Sequence, residues 1–319
     1  MRTLVTGGAG FIGSHLAARL VAGGHDVVVL DDLSTGDTAA VPAGARLVVG
    51  DVCDPSVVRA ATDGREIVFH LAAHRAIARS IDDPAGTDRA NSQGTVTILQ
   101  AAVDAGVRRV MYSSSSSVYG EPAATPVRED APAVPRSPYA VSKLAGEHYC
   151  RVFGELYGLE TISLRYFNVY GPGQPSDGRY ATVIPLFVEA LLSGRRPVVF
   201  GDGSLARDFT FVDDVVAATI AAAEAPVGRA GPVYNVGAGD PCSLVRLLGT
   251  IGRLTGVTPD PVFEAARPGD VSRTHADSSA AIRELGIRFE VALEEGLART
   301  IEWFAGRSGE RVPAAARRG

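Results

Sequence analysis

Cysteine, tryptophan and methionine are scarce in this chain: three Cys, one Trp and two Met among 319 residues. Cys53, Cys150 and Cys242 lie far apart with no CxxC pair, so neither a disulfide framework nor a zinc site is suggested, and a reducing cytoplasm is the expected setting. A strong excess of either charge is lacking too. A net charge of -5 and a pI near 5.7 argue against a nucleic-acid or anionic-membrane surface. No unbroken apolar run approaches the roughly 20 residues that span a bilayer, and the run after Arg2 breaks at Gly7-Gly8, too soon for a signal peptide. No internal repeat is evident. His70 and His74 are four apart, but across a strand end rather than on a helix, so they read as a packed His and a loop His and no metal is expected.

What the chain has in abundance is glycine, 36 residues of it, in a composition that is 46% hydrophobic and suits an α/β protein. Residues 2–6 read as a buried strand that runs straight into Gly7-Gly8-Ala9-Gly10-Phe11-Ile12-Gly13, after which Leu16, Leu20 and Val21 fall on helical spacing. Gly8, Gly10 and Gly13 fit the GxGxxG pattern; Gly7, Gly10 and Gly13 fit its looser form. Such glycines make the tight turn, let backbone approach a pyrophosphate and pack the helix on the strand, while the helix start offers amides to phosphate. A second strand, 26–30, ends in Asp31-Asp32. An acid there, about 20 residues after the glycines, accepts ribose hydroxyls and repels a 2′-phosphate, which favours NAD over NADP.

The βα pattern repeats. A third strand covers 46–52, with Asp51 and Val52 reaching towards adenine, and a fourth covers 66–73, followed by a loop over 74–84 that carries Arg75 and Arg79 at the carboxyl ends of the strands. A helix over 91–105 leads to a strand at 109–112 and a run of five serines, Ser113 to Ser117; a sixth strand, 159–164, closes the sheet. Beyond it come a helix at 181–193, a short strand at 197–200 and a turn at 201–204. Residues 209–214 and the helix after them return to the first domain, and Arg267-Pro268-Gly269-Asp270 and helices beyond Ser278 complete a second lobe. Leu293, Leu297, Ile301 and Phe304 keep helical spacing, so nearby Trp303 reads as packing. The expected fold is α/β: a Rossmann-type doubly wound parallel sheet with a smaller C-terminal α/β substrate-binding lobe. The cofactor domain takes 1–166 and about 208–235, the lobe about 167–207 and 236–305, and 306–319 form a disordered tail.

Chemistry concentrates at Ser137-Pro138-Tyr139-Ala140-Val141-Ser142-Lys143. On a helix Tyr139 and Lys143 lie one turn apart on one face. Bringing a phenol from about 10 to about 7 needs roughly 4 kcal/mol of differential stabilisation of the phenolate. A neighbouring ammonium and an oxidised nicotinamide supply that sign of shift, which makes Tyr139 a candidate general base.

These motifs, with Arg165-Tyr166-Phe167-Asn168-Val169-Tyr170-Gly171-Pro172 and Arg207-Asp208-Phe209-Thr210-Phe211-Val212-Asp213-Asp214, resemble the extended short-chain dehydrogenase/reductases, and within them the UDP-glucose 4-epimerases, from residue 1 to about 304. The resemblance implies Tyr139 as base, Lys143 as its electrostatic partner and ribose ligand, and Ser115 as the hydroxyl on the sugar O4, a choice slippery by one position because serines surround it. It implies cofactor contacts from Gly7, Gly10, Phe11, Ile12, Gly13, Asp31, Asp32, Ser34, Asp51, Val52, Leu71, Ala72, Ala73, Arg75, Asn91 and Tyr166. It implies substrate contacts from Ser116, Asn168, Val183, Arg207, Arg267, Asp270 and Thr274; arginine suits a substrate pyrophosphate. The implied reaction is a transient C4 oxidation by tightly held NAD, with the 4-keto sugar turning over before hydride returns. Thr274 is small where bulk would exclude an N-acetyl group. A homodimer built on the helices of Asn91 and Tyr139 is also implied.

Three rivals are weighed by residue. A 4,6-dehydratase resembles this chain but needs an acid pair where Ser116 and Ser117 stand. A UDP-glucuronate epimerase or decarboxylase needs a cation for the sugar carboxylate, and Arg179 is available. A non-catalytic NAD sensor would have no use for the intact serine, tyrosine and lysine.

Overall fold

The first half of the chain alternates strand and helix. It runs β1 (Arg2–Thr6), α1 (Phe11–Ala22), β2 (Asp26–Asp31), β3 (Arg46–Val49), α2 (Pro55–Thr62) and β4 (Ile67–His70), then α3 (Ile77–Asp82), α4 (Pro84–Asp88) and α5 (Gly94–Asp104), and on through β5 (Arg109–Ser115), α6 (Pro138–Tyr157) and β6 (Glu160–Tyr166). The second half is more broken: β7 (Val169–Tyr170), α7 (Val183–Leu192), β8 (Val198–Phe200), β9 (Ala206–Asp208), β10 (Thr210–Phe211), α8 (Val212–Glu224), β11 (Val233–Val236), β12 (Pro241–Ser243), α9 (Leu244–Thr255), β13 (Val262–Glu264), α10 (Ser279–Leu285) and α11 (Leu293–Ser308). The computed structural model describes residues 1–176, 181–226, 231–266 and 271–308. Arg179, Arg267, Asp270 and the end of the tail, 309–319, lie outside them.

Seven strands form one parallel sheet in the order β11-β6-β5-β4-β1-β2-β3. Side chains alternate across each strand, so Val5, Val29, Phe69 and Met111 face one way and Leu4, Val28, Val68 and Val110 the other. The first face packs on Leu16 and Leu20 of α1 and Val212 and Val215 of α8; the second packs on Val58 of α2, Ile98 and Leu99 of α5, and Cys150 and Phe153 of α6. Burial on both faces is why Val27-Val28-Val29-Leu30 reads as a continuous apolar run. β7, β8, β9, β10, β12 and β13 pair off as three two-stranded sheets. α11 buries Leu297, Ile301 and Phe304, with Trp303 edge-on to Phe304, so Trp303 is packing. Among the described residues no helix is long and apolar enough to cross a membrane.

The structure departs from the sequence expectation in a few elements. β6 does not close the sheet: β11 pairs beyond it, from Val233↔Ser163 to Val236↔Tyr166. Four residues after the long α8 excursion carry too little periodicity to announce a strand. β5 runs on to Ser115, its serines pairing as far as Ser115↔Tyr166, because a hydroxyl does not interrupt a backbone ladder. Segment 74–84, expected as a loop, holds α3, and the helix through Asn91 starts with a π turn at Arg89–Gln93.

Candidate cofactor and active site

A cleft of about 880 Å³ opens at the carboxyl ends of the strands, over the point between β1 and β4 where strand order reverses. One wall carries Gly7, Gly10, Asp31, Leu71, Ala72, Ala73 and Tyr166; the facing wall carries Asn168, Val183, Arg207 and Thr274.

The glycine turn is built for close approach. A Cβ on Gly13 would lie 2.1 Å from the Gly7 carbonyl oxygen, so only glycine lets α1 start this near β1. α1 begins at Gly10 with no side-chain cap, which leaves the amides of Phe11, Ile12 and Gly13 without an intrahelical acceptor at the positive end of the helix. That donor set fits a pyrophosphate. Asp31 is buried; one carboxylate oxygen accepts the Ala9 amide and the other the Leu33 amide, both at 2.9 Å. It therefore fixes the turn, with lone pairs left for a ribose. Asp32 accepts the amide and hydroxyl of Ser34 at 2.9 and 2.7 Å. Asp51 accepts the Cys53 amide and Arg89 Nη2, each at 2.8 Å, beside Val52. Asp31, Asp32, Ser34, Asp51 and Val52 all line the cleft.

Asn91 does not line it. Its Oδ1 accepts the His74 amide at 2.7 Å, and its Nδ2 donates to the His74 carbonyl and to Ser142 Oγ, tying the loop after β4 to α6. Those bonds hold the loop that carries Arg75. Buried His70 is held between Thr6 and Thr95, and burial brings it down to about 3, a neutral packed imidazole.

Strand alternation separates the serines. Ser114 donates to buried Glu147 at 2.5 Å, while the Ser113 carbonyl accepts Lys143 Nζ at 2.7 Å. Ser115, last in β5, caps the short turn Ser116–Tyr119, accepting the Ser117 hydroxyl at 2.9 Å, and its hydroxyl lies beside the Tyr139 phenol. Tyr139 stands in the first turn of α6, whose N-cap Ser137 accepts the Ala140 amide, with Pro138 as first helical residue. Burial raises the Tyr139 phenol; the Ser115 hydroxyl and the Arg75 charge pull it down. Burial likewise lowers Lys143 to about 8, against Cys150 and Glu147. Lys143 is tethered to the Ser113 carbonyl one turn from Tyr139, and Ser115 and Arg75 are the groups that draw the phenol down most directly.

Across the cleft Asn168, at φ 32°, donates to the Asp208 carbonyl at 3.0 Å and to Thr274 Oγ1 at 2.8 Å, and the Asp208 amide donates to the same hydroxyl. Sequence reasoning did not find the apolar wall of Phe187, Phe200 and Leu205, or Arg136 at the rim; β8 and β9 are three residues each, too short to show a pattern.

The parallel sheet, the glycine turn and a Ser115–Tyr139–Lys143 set at its edge define a short-chain dehydrogenase/reductase with a dinucleotide cleft. Residues 3–237 match the model of the NAD dependent epimerase/dehydratase family, and the chain belongs to that family. It is 44% identical to UDP-glucose 4-epimerase of Mycolicibacterium smegmatis over 97% of this chain and 100% of that protein. It is also similar to a crystal structure of UDP-glucose 4-epimerase with UDP-glucose from Thermotoga maritima (36% identity, TM-score 0.93, covering 97% and 100% of the two chains). A third likeness is to the Thermus thermophilus UDP-glucose 4-epimerase complex with NAD (35% identity, TM-score 0.89, covering 96% and 99%).

Proposed function

We propose that the protein is a UDP-hexose 4-epimerase that keeps NAD as a resident cofactor and interconverts UDP-glucose and UDP-galactose. The observation that carries the reading is the meeting of Ser115, Tyr139 and Lys143 at the end of β5, inside a cleft that also holds the glycine turn. NAD, when bound, supplies the group that takes and returns the C4 hydride. Tyr139 exchanges the O4 proton, Ser115 holds that oxygen, and Lys143 contributes positive charge from below. Asn168 and Arg207, with Arg267 and Asp270, bind the nucleotide diphosphate, in a lobe formed by 167–207 and 236–305. Thr274 keeps its hydroxyl on Asn168 and Asp208, leaving a small surface, which supports acceptance of N-acetylhexosamines too.

Purified protein, given UDP-glucose, UDP-N-acetylglucosamine and UDP-glucuronate separately with no reductant, is expected to yield the C4 epimers of the first two by proton NMR. A 4-keto-6-deoxy product, or turnover of the uronate alone, sinks the reading. The chain is further proposed to be a cytoplasmic homodimer. Its three cysteines are free and buried, and Val141, Tyr149 and Leu156 make an exposed apolar stripe along α6. Light scattering should give twice the chain mass; a monomer refutes the dimer.

A further inference from the structure

Behind the serine strand lies a second set of buried charges. Glu147 Oε1 accepts Ser114 Oγ at 2.5 Å and Arg165 Nε at 2.9 Å, and Oε2 accepts Arg165 Nη2 at 2.7 Å. Both members of this pair are 5% exposed. Ser114 adjoins Ser115 in β5, Lys143 lies one helical turn before Glu147 in α6, and Arg165 belongs to β6, so three elements of the site meet at one carboxylate. We propose that Glu147, acting through Ser114 and Lys143, is a positioning residue for proton transfer between Tyr139 and the sugar hydroxyl, an inference that rests on the epimerase reading.

Geometry supplies the first half of the argument. Ser115 reaches the phenol only if the end of β5 keeps its height above α6, and the Ser114–Glu147 bond fixes that height from the far side of the strand. Charge supplies the second half. The groups facing Lys143 are Tyr112 from β5, its ring centroid 5.1 Å from Nζ; His70 from β4, packed on Tyr112; and Cys150 and Glu147 from α6, with Tyr139 one turn before Lys143 in α6 and Arg165 of β6 across Glu147. Burial leaves His70 neutral at about 3 and the Cys150 thiol neutral up to about 12, and holds Tyr112 well above the ordinary phenol range. Among the described residues that leaves Glu147 as the carboxylate that opposes loss of the Lys143 proton. A neutral residue in its place lets the ammonium titrate at lower pH.

The test uses the full-length, NAD-loaded protein with Glu147→Gln and Ser114→Ala. In Glu147→Gln, kcat should fall about tenfold or more with KM within about twofold. NAD content should be unchanged and the alkaline limit of the kcat profile should move to lower pH. Nitrogen-15 NMR of the Lys143 ammonium, assigned with Lys143→Met, should show the same displacement without reference to turnover. Ser114→Ala keeps the charge and should lower kcat with the alkaline limit unmoved. An unmoved Lys143 titration in Glu147→Gln overturns the proposal. So does kcat within about twofold of the parent in Ser114→Ala, which decides the matter if Glu147→Gln does not fold. A parent protein that epimerises nothing sinks the epimerase reading instead, and the ammonium titration still reports on Glu147.

Discussion

Tyr139→Phe should bind NAD as the parent does and turn over about a thousandfold more slowly, since a positioned acid/base group contributes roughly 10² to 10⁴ in rate. The ring stays, so the start of α6 and its Ser137 cap are untouched, and only the hydroxyl beside Ser115 is lost. KM for the nucleotide sugar should stay within a few-fold, because Asn168 and Arg207 sit on the other wall. Product NMR gives the rate, and NAD released on denaturation gives the content. Turnover above about a tenth of the parent's would remove Tyr139 from the chemistry.

The pH dependence of that phenol carries a sign. In the protein itself burial raises Tyr139 and lowers Lys143 to about 8, so both shifts oppose a coexisting phenolate and ammonium. An added positive charge in the cleft favours the phenolate. Tyr139, followed by ultraviolet absorbance as a difference against Tyr139→Phe, should therefore ionise at lower pH in the NAD⁺-loaded protein than in the NADH-loaded one. The opposite order, or no difference, would mean that the cofactor's charge is not felt at the phenol. Turnover should fall as pH rises past the Lys143 titration, because the ammonium is the form that helps.

How much of this was legible depends on the range of the signal. The glycine turn, Asp31 and the Tyr139/Lys143 pair are local patterns with a fixed period or a fixed backbone demand, and they emerge in one cleft. The five serines were ambiguous because composition cannot say which way a side chain points; pairing of β5 with β6 through Ser115 settles the alternation and sends Ser114 to Glu147. The bonds of Asn91 to His74 and Ser142 are not legible in the sequence, because those partners lie 17 and 51 residues away. β11 and the strand that carries Phe200 depend on pairings between short segments far apart in the chain, which leave no periodicity of their own.

Gly13→Ala tests the cofactor half of the cleft and should be the most damaging small substitution in it. An added methyl would meet the Gly7 oxygen at 2.1 Å, the Gly7 carbonyl carbon at 2.8 Å and the Gly8 Cα at 2.8 Å. All three are backbone atoms and cannot swing aside. Alanine brings about 1 kcal/mol of helix propensity, but relieving the clash means lifting α1 off β1, and overpacking of this kind costs about 1–3 kcal/mol or more. The lift also parts Leu16 and Leu20 from Val5 and Val29 and spreads the amides of Phe11, Ile12 and Gly13. The protein should purify with little NAD and a lower denaturation midpoint. Gly249→Ala in α9 is the control: nothing lies within 4 Å of its added Cβ, so propensity alone acts, and the midpoint should rise with NAD content unchanged. If Gly13→Ala kept both its NAD and its midpoint, the turn at the start of α1 would not be where the pyrophosphate sits.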